Sequence, residues 1–123
     1  MNIKVSIGEI VDKLSILHIK TKKITDVDKL VNIEKEYLYL HEIVFANLNI
    51  NIVDYNELFV INEQLWDIED HIRIKEKNKE FDDKFIELAR LVYITNDIRF
   101  RVKNLINLKY GSEFKEEKSY EQY

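Results

Sequence analysis

Asparagine and arginine recur at helical spacing in two separate stretches of the chain, joined in the first by tryptophan and glutamate. Asn62, Trp66, Glu69 and Arg73 stand in one, Asn96 and Arg99 in the other. At about 100° per residue, Asn96 and Arg99 continue the apolar stripe of Phe85, Leu88, Val92 and Ile106. A carboxamide and a guanidinium therefore stand where the pattern asks for apolar side chains. In the earlier stretch, Asn62 and Glu69 flank the Leu65 and Ile72 seam, with Trp66 and Arg73 further round. If both stretches form one helical hairpin turning near residue 80, facing residue numbers sum to roughly 160 to 165. Glu69 is then set opposite Asn96, Trp66 opposite Arg99, and Asn62 opposite Lys103. The forked donors of Arg73 and Arg99 suit phosphate or carboxylate. Trp66 and Tyr93 offer flat faces to a base or sugar, and Asn96 with Glu69 can read polar edges. This set points to a non-catalytic protein that holds a small anionic, nucleotide-like ligand between its third and fourth helices. Lys118 and Tyr120, in the C-terminal tail, would add a cation and an aromatic cap over that cleft.

Two other readings stay open. In the first, a Glu69–Arg99 ion pair bridged by Asn96 is an internal polar network that fixes register and holds no ligand. The chain would then be a protein-interaction module. In the second, Asp67 with Asp70 and Glu9 with Asp12 place carboxylates one helical turn apart. Such pairs can hold Mg²⁺ for phosphate chemistry, as in the all-helical nucleotide pyrophosphohydrolases. Both dyads fall mainly on polar helix faces, and the fourth helix offers only Glu87 and Asp97, so neither metal nor catalysis is the expectation. His18, His41 and His71 lie on three different helices without ligand spacing. No glycine-rich phosphate loop is present, and no cofactor is expected.

The elements that must position these residues read as helices. Of 123 residues, two are glycine and none is proline, which disfavours a turn-rich β architecture. Ser6, Ile7, Gly8 and Glu9 fit a capping box, followed by an apolar face of Ile7, Ile10, Val11, Leu14 and Leu17. A second helix starts at Thr25 or Asp26 with a stripe of Leu30, Ile33, Tyr37, Leu40 and Val44, and residues 46–53 read as a loop. Asp54 begins a third, striped by Leu58, Ile61, Leu65, Ile68 and Ile72. Asp82 caps a fourth, which Gly111 stops. Short connections imply that sequential helices are antiparallel neighbours. The expected fold is all-α, an up-down antiparallel bundle of about four helices forming one domain over 1–123, with the tail 112–123 folding back on it.

The absence of cysteine removes disulfides and thiolate chemistry. A net charge of −4 disfavours a face for duplex DNA or RNA. No stretch reaches the roughly 18 apolar residues of a membrane span, and no targeting segment is visible, so a cytoplasmic protein is expected. Phe59, Val60, Ile74, Leu91, Ile94 and Ile98 make a second apolar set off the main stripes. One small bundle does not bury such a set, so a homodimer or higher homo-oligomer is expected.

Five segments carry a resemblance. They are Val5 to Leu14, Leu65 to Arg73, Tyr93 to Arg99, Ile106-Asn107 with Gly111-Ser112, and Glu116 to Tyr120. Together they resemble a domain-of-unknown-function family of small all-helical proteins from bacteria and phages. The resemblance implies a domain-wide match in which Trp66, Glu69, Asp70, Arg73, Asn96, Asp97, Arg99, Lys118 and Tyr120 belong to the family pattern. It implies no activity. In a phage setting, the binding reading would amount to sequestering a nucleotide signal.

Overall fold

Each α-helix begins at a side-chain cap. The computed structural model describes residues 1–117. Helix α1 spans Ile7–Lys23, and the Ser6 hydroxyl accepts from the Glu9 backbone N–H. Lys20, Lys22 and Lys23 close its last turn, where cations complement the helix dipole. Helix α2, Val27–Glu42, is capped by Asp26 accepting from the Lys29 N–H. It runs into a five-residue π-helical segment, Ile43–Asn47, after which Asn49 turns the chain at φ 54°. Asparagine tolerates that left-handed conformation better than most residues.

Helix α3 spans Ile52–Lys77 and starts at Asn51, whose side chain accepts from the Val53 N–H. The expected start at Asp54 is three residues late. Asp54 instead accepts from the Tyr110 hydroxyl and pairs with Lys109 at 2.8 Å. Helix α4, Asp83–Lys109, is capped by Asp82 accepting from the Phe85 N–H. It ends in a left-handed Gly111 at φ 67°, with the Ser112 N–H donating back to the Asn107 carbonyl at 2.8 Å. That pairing is a Schellman stop.

Among the described residues there are four α-helices and no strand, an all-α bundle. Its centre is α1, which packs against α2, α3 and α4, while α3 and α4 form a hairpin. The expectation that sequential helices pair fails at α2 and α3. Helix α2 lies along α1, makes no close backbone packing with α3 or α4, and buries none of its residues fully. The π-helical segment returns the chain inward, placing Val44 in the core with Val11, Leu14 and Leu58 at zero exposure. Helix α1 has 17 residues against 26 and 27 in α3 and α4. The loop end of the hairpin is therefore uncovered. Ile68 and Ile72 are only half-buried there, and Ile74 and Phe81 are exposed.

Candidate functional site

Helices α1 and α4 touch where a side chain is missing. A Cβ on Gly8 would lie 2.6 Å from the Lys103 carbonyl oxygen of α4. The close approach lets α4 satisfy the N-terminus of α1, whose first amides have no partner within the helix. The Gly8 N–H donates to Asn107 Oδ1 at 2.6 Å, and the Ile7 N–H to Ser112 Oγ at 3.0 Å. Glu9 does not reach back to complete the capping box. Its carboxylate takes Lys103 Nζ at 2.7 Å.

One turn along α1, Asp12 is 1 % exposed. It is held by a fork from Arg99, with Nε donating to Oδ1 at 2.9 Å and Nη2 to Oδ2 at 2.5 Å. Asn62 Nδ2 of α3 donates to the same Oδ1 at 2.9 Å and to Ser15 Oγ at 2.7 Å. Lys103 Nζ stands 3.8 Å from Asp12 Oδ2 and 3.3 Å from Glu116 Oε2. Hydrogen bonding to Asp12 raises the Arg99 pKa above its ordinary value against the pull of burial. Burial lowers Lys103, but the Glu9 hydrogen bond and the charges of Asp12, Glu9 and Glu116 raise it further, so both cations stay charged. No buried side-chain polar atom among the described residues lacks a partner.

On the outer side of this network lies a cleft of about 290 Å³, lined by Ile16, Ile19, Asn62, Leu65, Trp66, Glu69, Asn96 and Arg99. Arg99 and Asn96 also wall a smaller hollow of about 40 Å³ with Phe100, Lys103 and Glu116. In the described part of the tail, the Glu116 carbonyl accepts from Asn104 Nδ2 at 3.2 Å. Within the cleft, Asn96 Oδ1 accepts from Arg99 Nη1 at 3.3 Å, leaving the Asn96 amide N–H₂ directed to no described residue. The Glu69 carboxylate makes no hydrogen bond or ion pair with any described residue.

The structure thus brings Trp66, Glu69, Asn96 and Arg99 round one cleft. Arg73 is exposed one turn past Glu69 and lines none of it. Tyr93, 43 % exposed, stands outside the cleft. Lys118 and Tyr120 lie outside the described residues. The pair expected between Glu69 and Arg99 is replaced by Asp12 with Arg99. Of the acidic dyads, Glu9 and Asp12 each hold a cation, Asp67 pairs with Lys23 at 3.5 Å, and Asp70 is exposed. Among the described residues, no three His, Asp or Glu side chains converge as metal ligands.

Sequence reasoning missed Asp12, Ser15 and Lys103 as members of the network. Helix α1 is central and so has two inward faces. Gly8, Asp12, Ser15 and Ile19, spaced four, three and four residues apart, mark the second one. A family model for a family of unknown function, DUF6165, matches residues 1–123. The chain belongs to that family. No curated protein and no solved structure matches this DUF6165 chain. Its described helices include none long and apolar enough to cross a membrane.

Proposed function

We propose that the chain is a non-catalytic binding protein whose ligand is a nucleotide-like molecule seated by its base in the α1/α3/α4 cleft. One observation carries this reading. Beside a network whose buried polar groups are all satisfied, two half-buried groups, an acceptor (Glu69) and a donor (the Asn96 amide), line the same cleft as Trp66 with no described partner of their own. A ring with adjacent N–H donors and a carbonyl on one edge answers both, and its flat face suits the indole. Guanine has that edge: its N–H groups would meet Glu69 and its carbonyl oxygen the Asn96 amide.

The charges favour the base over the phosphates as the source of affinity. Arg99 and Lys103, two cations, stand among three carboxylates, Asp12, Glu9 and Glu116, and Glu69 adds a fourth negative charge at the cleft. Arg99 turns its fork toward Asp12, and Arg73 lies outside the cleft. Phosphates would therefore sit at the mouth, in water. Guanosine is expected to bind at least as tightly as its triphosphate in calorimetric titrations. Stacking on an aromatic is worth about 1–3 kcal/mol per base, so Trp66→Ala should weaken binding about 5- to 150-fold while the protein stays folded. A guanine series that fails to bind, or binds Trp66→Ala and Glu69→Gln as tightly as the wild type, rejects the proposal.

A second reading has its own support. The Asp12 network is closed on itself, as a register-fixing device in an interaction module would be. In that case Glu69→Gln changes nothing measurable.

A further inference from the structure

Opposite the side of α4 that carries Asn96 and Arg99 runs a second stripe: Glu87, Leu91, Ile94, Ile98, Arg101, Leu105 and Leu108. The steps alternate four and three without a break, the spacing of a coiled-coil seam. It spans roughly 31 Å of helix at about 1.5 Å per residue. No described element covers it. Ile98 is 39 % exposed, Leu105 61 % and Leu108 72 %, and Leu91 and Ile94 are half-buried. Leu91 and Ile94 also line a shallow groove with Asp83, Ile86, Glu87 and Arg90.

The seam contains two charges, and they identify the occupant. Glu87 and Arg101 have opposite sign and lie two heptads apart, in the same phase of the repeat. Arg101 is exposed and makes no ion pair with any described residue, and Glu87 has only an exposed contact with Lys84 at 3.5 Å. Like charges in this phase would repel across a two-fold axis, whereas opposite charges on either side of it attract twice. We infer that this face binds a second copy of the chain, α4 against α4 in antiparallel orientation about a two-fold axis level with residue 96. That register sets Ile94 against the partner's Ile98 and Leu91 against the stem of the partner's Arg101. The guanidinium then reaches the partner's Glu87 one turn away, and the exchange is reciprocal. The ligand cleft, on the opposite side of α4, stays open in the dimer.

Sedimentation velocity on the full chain tests this. The wild type is expected at twice 14.9 kDa in the micromolar range. Ile98→Glu should sediment as a monomer with an unchanged helical circular dichroism spectrum. Arg101→Glu and Glu87→Arg should each weaken association at least about ten-fold, and the two together should restore it. Restoration separates a specific antiparallel seam from a merely sticky surface. The inference is overturned by a wild type that remains at 14.9 kDa, by a dimer that Ile98→Glu and Arg101→Glu leave intact, or by a double variant that stays monomeric.

Discussion

Replacing Arg99 with methionine should destabilise the protein more than neutralising its partner, Asp12→Asn. The asymmetry comes from access to water. The Asp12 side chain is 2 % exposed and the Arg99 side chain 25 %. In Arg99→Met the carboxylate remains buried with Asn62 at 2.9 Å and Lys103 at 3.8 Å. Stranding one member of a buried pair costs about 3–5 kcal/mol, and the two remaining partners bring this to the lower end, about 3 kcal/mol. Unfolding entropy near 2.1 cal/mol/K per residue gives roughly 0.26 kcal/mol/K for a chain of this length, so Tm should fall by about 12 °C. In Asp12→Asn the guanidinium can turn to solvent, and the loss should stay near 1–2 kcal/mol. Urea denaturation followed by far-ultraviolet circular dichroism measures both. An Arg99→Met loss below about 1 kcal/mol, the range of an exposed pair, or a larger loss in Asp12→Asn, would refute the reasoning.

Two further substitutions probe other parts of the scaffold. Gly8→Ala drives a methyl into the Lys103 carbonyl and should cost about 1–3 kcal/mol, read by the same urea melts; a neutral effect would show that α1 and α4 can separate freely there. His18 has its pKa lowered by burial first and by Lys22 second, opposed by Glu63 and aided by His41. Burial keeps the Tyr55 hydroxyl protonated, and it shares a 2.9 Å hydrogen bond with His18 Nδ1. Above the unfolded value near 6.5, His18 is neutral in both states and stability is unaffected by it. As pH falls below 6.5 the unfolded chain takes up the proton first, so stability drops toward the lowered folded value. His18→Gln should flatten the dependence of the urea midpoint on pH between about 7 and 5; a variant with the wild-type slope would count against this assignment.

The bundle was legible because its signals are local. Ser6, Asp26, Asp82 and Gly111 act at helix ends within a few residues of themselves. The polar break at Asn96 and Arg99 was legible for the same reason, as a fault in one stripe. What the break pairs with was not. Asp12 lies 87 residues from Arg99, and its burial follows from α1 lying between α2 and the hairpin, an arrangement that no single helix encodes. An antiparallel α2–α3 pair was expected from a short loop, but the π-helical segment and the left-handed Asn49 redirect the chain.

Trp66 is the only tryptophan in the chain, so its emission reports on the cleft alone. Titrating guanosine while following that emission tests the proposed ligand site most directly. A saturable change in the wild type that Glu69→Gln weakens about 10-fold or more is expected, the loss of a charge-assisted hydrogen bond. Emission that does not respond, or responds equally in Glu69→Gln, would contradict it.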